Sequence, residues 1–244
     1  SSVSWSGHLN LNTAIITGAA GSLGSELSLK LVESGWAVVM LDKNLRGLEK
    51  AYDLIGQGGP GEAILHPLDL AEAVPETFEQ LLDSTREELG GVNAVVHCAA
   101  EFRSLTPVEH IQPQDWLQAI QVNLNAAWLL SAMALPYLRD SGAGRLVYLL
   151  EDMEKVDGPF WGAYGVAKHA LLALVKQTAA ECAGGPVEVH GVNPGPMGSP
   201  IRTRAYHSEN PADMPAAEAP AQRIAAYLCG TEQWDSTLVD FTAA

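Results

Sequence analysis

The chain has 244 residues, enough for one large core, and no Pro/Gly/Ser-rich linker divides it, so a single domain over residues 1–244 is expected. A formal net charge of −15, from 14 Lys and Arg against 29 Asp and Glu, sets most of the surface against phosphate backbones and anionic lipid; neither nucleic acid nor a membrane is an expected partner. Its 47% hydrophobic content comes without the apolar run of about 18 residues that a membrane span requires, which points to a soluble globular protein.

Residues 1–12 carry neither the basic flank nor the apolar stretch of a secretory leader. Cys98, Cys182 and Cys229 are scattered, without metal-ligand spacing, as expected of reduced thiols in a cytoplasmic protein. The seven histidines form no short cluster, so no metal is expected.

Short β-branched runs alternate with longer segments of helical period, the pattern of parallel strands joined through crossover helices. The first strand, near 13–17, runs into Thr17-Gly18-Ala19-Ala20-Gly21-Ser22-Leu23-Gly24 and then a helix over about 22–34 that stops at Gly35. A second strand near 36–42 ends at Asp42, and further strands lie near 62–66 and 92–98. A long helix begins after Pro113, carries Trp116, Ile120, Leu124 and Leu129, and should end before Pro136. After a strand near 144–150 comes the helix bearing Tyr164, which Gly184-Gly185-Pro186 terminates. Strands near 187–193 and 236–241 flank an irregular stretch, of which about 196–220 reads as a substrate lid or a disordered loop.

Two motifs carry chemistry. A glycine turn between strand and helix lets backbone amides approach a pyrophosphate at the helix N-terminus, a role that suits Gly18 and Gly24. About twenty residues on, the Asp42 carboxylate can accept from adenosine ribose hydroxyls and repel a 2'-phosphate, which favours NAD over NADP, although Lys43 or Arg46 could instead reach a phosphate. Tyr164 and Lys168, four apart, share one face of a helix, where an ammonium can bring a phenol toward its working range.

Taken in order, these residues resemble the short-chain dehydrogenase/reductase family, in its compact single-domain branch, over nearly the whole chain. Also part of the match are Asp69-Leu70, Asn123 in Gln121-Val122-Asn123-Leu124, and Asn193-Pro194-Gly195. Trp161-Gly162-Ala163-Tyr164 and the segment around Arg202 further resemble the bacterial YciK-like subgroup. The resemblance implies a Rossmann-type α/β fold, doubly wound, with a seven-stranded parallel sheet in the order 3-2-1-4-5-6-7 and helices on both faces. It implies that Gly18, Ser22, Leu23 and Gly24 cradle the dinucleotide, Asp69 and Leu70 flank adenine, Ala99 and Ala100 line the ribose, and Pro194 and Ser199 border the nicotinamide. Tyr164 would exchange the hydroxyl proton of an alcohol or carbonyl substrate. Lys168 would hold the nicotinamide ribose, and Asn123 would support a water leading to Lys168. A homodimer or homotetramer through the helices containing Asn123 and Tyr164 is implied as well.

The pattern breaks in three places. The middle glycine slot of the turn is Ser22, and the usual Asn-Asn-Ala-Gly appears as His97-Cys98-Ala99-Ala100. The family's serine, thirteen residues before the tyrosine, is Glu151, and no Ser or Thr lies between Gly142 and Ala163 to replace it. An ionised carboxylate about 4 Å from the tyrosine oxygen would oppose phenolate formation by about 4 kcal/mol at an effective dielectric near 20. Glu151 could turn away, leaving an enzyme about 100- to 1000-fold slower for want of a donor. It could be protonated and donate in place of serine, or select a cationic substrate. The protein could also be a catalytically impaired pseudoenzyme, a dinucleotide-dependent binding or scaffolding protein, or Glu151 could be a solvated loop residue without a role.

Overall fold

The computed structural model describes residues 11–56 and 59–243, so the reading of the first ten residues lies outside it. In chain order the elements are β1 (Thr13–Thr17), α1 (Ser22–Glu33), β2 (Ala37–Asp42), α2 (Leu45–Ile55), β3 (Glu62–Pro67), α3 (Pro75–Leu89) and β4 (Ala94–His97). Then follow α4 (Pro113–Ile120), a π-helical turn (Gln121–Asn125), α5 (Ala126–Asp140), β5 (Gly144–Leu149), α6 (Met153–Val156) and α7 (Gly162–Cys182). The chain closes with β6 (Val187–Asn193), α8 (Pro200–Ala205), α9 (Glu218–Leu228) and β7 (Leu238–Asp240). All strand pairs are parallel, in one seven-stranded sheet of order β3-β2-β1-β4-β5-β6-β7.

Side chains alternate across a strand, and here both faces are covered. Ile15, Val39, Val95, Leu146 and Tyr148 point into a core closed by Phe78 and Leu82 of α3, Leu130 and Leu138 of α5 and Leu171 and Val175 of α7. Their neighbours Ile16, Val38, Met40, Val96 and Val147 point the other way, onto Leu27 and Leu31 of α1, Leu48 of α2 and Ile224 of α9. Doubly apolar strands such as Ala94-Val95-Val96 are therefore central ones, with β1 and β4 paired through Ile15 to Val95 and Ile16 to Val96.

Three sequence expectations change. The helix expected to end before Pro136 runs on to Asp140, with the proline inside it. A proline there costs about 3 kcal/mol, but Ala134 and Leu138 are both fully buried and Tyr137 Oη donates to Asp83 Oδ1 at 2.7 Å, so packing on either side outweighs the lost hydrogen bond. The long helix after Pro113 is interrupted by the π-helical turn that contains Asn123. The stretch read as irregular holds α8, capped by Ser199 Oγ accepting from Arg202 N at 3.2 Å, and the start of α9. Pro220 falls in the first turn of α9, where the missing N–H has no intrahelical partner to lose.

Candidate active site

A right-handed parallel sheet opens a crevice beyond the carboxyl ends of its strands, where the strand order reverses. Here that is the end of β1, between β2 and β4. The turn leaving β1 is closed by its glycines: Gly18 has a φ of +68°, and a Cβ on it would lie 2.6 Å from Ala99 N. A Cβ on Gly24 would lie 2.3 Å from Gly18 O, so neither position admits a side chain. Gly21 is the N-cap of α1, no side chain caps that helix, and its first turn carries no acidic residue. The leading amides of α1 are thus left for an anion.

All the residues expected to hold a cofactor line one cleft: Gly18, Ser22, Leu23 and Gly24 from the turn, then Asp42, Asp69, Leu70, Ala99, Ala100, Pro194 and Ser199. Tyr164, Lys168 and Glu151 line its other end. Asp42 is fixed by two backbone amides, with Oδ2 accepting from Ala20 N at 3.1 Å and Oδ1 from Asn44 N at 2.9 Å. Each oxygen keeps acceptor capacity for a further donor. Lys43 does not stand free beside it: its Nζ lies 2.9 Å from Glu101 Oε2, and that bond raises the ammonium above its ordinary pKa. Arg46, the other candidate for a phosphate, is exposed and is not among the cleft residues.

Helix α7 brings the two key side chains together, both about 3% exposed. Lys168 Nζ donates to Leu149 O at 2.8 Å and lies 5.6 Å from the centre of the Tyr164 ring. One protein partner for three ammonium hydrogens leaves donors for a ligand in the cleft. Burial lowers the Lys168 pKa, with Glu151 opposing. Glu151 does not turn away, nor is it a solvated loop residue. It is half-buried, and Tyr164 Oη donates to its Oε1 at 2.5 Å. Burial first, then the charge and hydrogen bond of Glu151, hold the Tyr164 phenol well above its ordinary pKa.

Asn123, in the π-helical turn, makes no direct hydrogen bond to Lys168. Its Oδ1 accepts from Glu101 N at 3.0 Å, and its Nδ2 donates to Glu101 O and to Ala119 O, both at 2.8 Å. It staples the segment after β4 to α4, while sharing a small internal cavity with Lys168. Thr17 ties the end of β1 to the segment after β4, its Oγ1 accepting from Ala99 N at 3.2 Å. His97 is buried, stacked on Tyr148 at 4.8 Å, with Nε2 2.8 Å from Ser131 Oγ. Ser131 donates to Ala127 O and accepts from Tyr148 Oη, both at 2.7 Å, so the network requires the proton on His97 Nε2.

Sequence reasoning did not assign Glu101, Met197, Ile201 and Arg204 to the cleft, which all four line. Glu101 directly follows Ala99-Ala100 and could have been found by extending that motif; the other three come from the segment read as irregular, where no periodicity marks a facing side chain.

Within the described residues no group of three or more His, Cys, Asp or Glu could hold a metal, and no helix is long and apolar enough to cross a membrane. The family model for short chain dehydrogenases matches residues 12–210. The chain belongs to the short-chain dehydrogenase family. This dehydrogenase is 27% identical over 220 residues to the uncharacterised oxidoreductase YciK of Escherichia coli (strain K12), covering 90% of this chain and 86% of that one. A solved structure from Pseudomonas syringae, described as a short chain dehydrogenase, superposes with a TM-score of 0.87 at 26% identity, covering 98% of both chains. Another, from Escherichia coli CFT073 and complexed with NADPH, has a TM-score of 0.83 at 26% identity and covers 96% of this chain and 97% of that one.

Burial drives the His97 pKa down to about 3, with the Lys168 charge adding to the effect, so the native imidazole is neutral while the unfolded one takes a proton below about pH 6.5. The contribution of His97 is therefore intact above pH 6.5 and declines as pH falls toward 3, by at most about 1.4 kcal/mol per pH unit. Urea unfolding of the parent and of His97→Asn at pH 5 and pH 7 should show a smaller loss on acidification in the variant; equal losses would mean that His97 does not set this slope.

Proposed function

We propose that residues 1–244 form one catalytic domain of an oxidoreductase that interconverts an alcohol and a carbonyl with a nicotinamide dinucleotide, and that Tyr164 handles the proton. The observation that carries this is the convergence of two buried side chains, Tyr164 and Lys168, on the end of a cleft whose other end is an uncapped glycine turn. The residues present fit the dinucleotide: free amides of α1 for the pyrophosphate, Asp42 for a ribose, and unsatisfied donors on Lys168 for the second ribose. When bound, the dinucleotide supplies or accepts the hydride.

Tyr164 exchanges the proton at its Oη. A phenol held well above its ordinary pKa is a weak acid but stays protonated, so at neutral pH it has a proton to give a carbonyl, whereas the phenolate that alcohol oxidation needs is populated only under alkaline conditions. The same contact with Glu151 supports a second reading, a dinucleotide-binding protein with impaired turnover. The segment over about 196–220 is proposed as the lid of the substrate end, since Met197, Ser199, Ile201 and Arg202 line a second pocket beside the cleft.

The placement of Asp42 supports NAD over NADP, because its carboxylate lines the cleft at the end of β2 and the adjacent cation, Lys43, is already paired with Glu101. The relative complexed with NADPH belongs to the same family, so both cofactors belong in the measurement. Leu117 on α4, Trp128 on α5 and Val166 on α7 are at least half exposed, at 67%, 53% and 50%, and support association of copies through these helices.

Three measurements test this assignment. Tyr164→Phe should lower turnover by about 100- to 10,000-fold in an alcohol and ketone screen while dinucleotide binding by calorimetry stays close to the parent; unchanged turnover removes the tyrosine from the chemistry. The parent should bind NAD more tightly than NADP, and Asp42→Ala should shift that ratio toward NADP by about tenfold, equivalent to about 1.4 kcal/mol; a ratio indifferent to the change would reject Asp42 as the selector. Light scattering after gel filtration should give the mass of a dimer or tetramer, and a single-chain mass at working concentration would refute the association.

A further inference from the structure

Glu151 stands where the dinucleotide cleft meets the second pocket, and it lines both, together with Pro194, Met197, Ser199 and Ile201. Its Oε1 is occupied by Tyr164 Oη at 2.5 Å, while Oε2 has no protein partner among the described residues. No described cation lies within ion-pair distance of it. Lys155 is spent on Asp152 at 3.4 Å, Arg202 is held by both oxygens of Glu209 at 2.7 Å, and Lys168 reaches to the Leu149 carbonyl. Arg204 donates to Pro200 O at the exposed rim. A carboxylate with no direct ion pair thus sits beside the proton donor, the Lys168 ammonium acting on it only at longer range, with the Trp161 ring forming part of the wall, 5.8 Å from the Tyr164 ring.

The sign of that charge matters for the reacting group. A carbonyl gains negative charge on oxygen as hydride reaches carbon, and a carboxylate at this position opposes it. An iminium begins positive and ends neutral, so the same carboxylate holds it in the site, and the aromatic face adds a favourable quadrupole. We propose that the preferred hydride acceptor of this site is an iminium, C=N⁺, and that Glu151 selects it. The proposal rests on the assignment of nicotinamide-dependent reduction to this cleft. The iminium carbon gains a hydride from the reduced dinucleotide, forming a C–H bond; the C=N π pair moves onto nitrogen, and the products are a neutral amine and the oxidised dinucleotide. No proton from Tyr164 is consumed, and its hydroxyl serves to fix Oε1 so that Oε2 faces the pocket.

The test uses N-methylpyrrolinium, a permanently charged cyclic iminium, against cyclopentanone as its neutral counterpart, with each reduced dinucleotide. The parent should reduce the iminium with a kcat/KM about 100-fold above that for the ketone, and Glu151→Gln should lose about 100-fold on the iminium while its ketone turnover rises, because the charge opposing the developing oxyanion is gone. Glu151→Ser should move the preference toward the ketone. A second readout needs no turnover: calorimetric binding of N,N-dimethylpyrrolidinium, which cannot accept hydride, should weaken about tenfold in Glu151→Gln. Circular dichroism and the thermal midpoint establish that each variant is folded, and Glu151→Ser carries the comparison if Glu151→Gln is not. Parity between iminium and ketone in the parent, or a folded Glu151 variant that keeps iminium turnover and cation binding, overturns the proposal. Dinucleotide binding without iminium turnover overturns the proposal alone, whereas failure to bind either dinucleotide removes the assignment beneath it.

Discussion

Ile15 and Ile16 are adjacent, and they point into different cores. That constraint, parallel strands buried on both faces, organises everything else in the molecule. Helices must cover each face, so every crossover returns the chain to the same end of the sheet before the next strand begins. The carboxyl ends of β1, β2, β4, β5 and β6 consequently share one edge. The glycine turn, Asp42, Ala99, Glu151 and Pro194 each stand at or just beyond one of those ends and meet in one cleft.

At that edge the balance of charge is unusual. A buried ammonium next to a buried phenol should favour the phenolate, yet the carboxylate 2.5 Å from the phenol oxygen reverses the outcome, and the phenol is held protonated. Burial is the larger part of the cause and Glu151 the more specific one. A serine in this place would donate to an oxygen that becomes negative; the glutamate can only accept while it is ionised. The helix supplying Tyr164 and Lys168 thus meets, from the residue thirteen positions before the tyrosine, an acceptor rather than a hydroxyl donor.

Much of the fold was legible because two-sided burial writes a strong pattern. Strands such as Leu146-Val147-Tyr148-Leu149 are apolar on both faces, and Gly35 with a φ of +85° marks the end of α1 as expected. Local rules failed where tertiary packing outweighed them. Pro136 should stop a helix, but Ala134 and Leu138 lock that helix into the core on either side. In the candidate site, residue types at fixed spacing identified the cleft walls, whereas partners did not follow from spacing. Nothing local in the sequence says that the Asn123 amide would be consumed by the Glu101 backbone, or that Glu151 would face Tyr164, since both depend on how loops at the ends of β4 and β5 turn.

The Lys43–Glu101 pair links the end of β2 to the segment after β4, across the intervening β1. Glu101 also has both backbone groups held by Asn123, so the lysine is tied to a rigid post. The lysine beside Asp42 is thereby paired with a residue from a different part of the chain. The proposed preference for NAD thus draws on two carboxylates, Asp42 at the end of β2 and Glu101 through its hold on Lys43. On that proposal, position 101 would bear on the choice of dinucleotide without any change to the glycine turn or to Asp42.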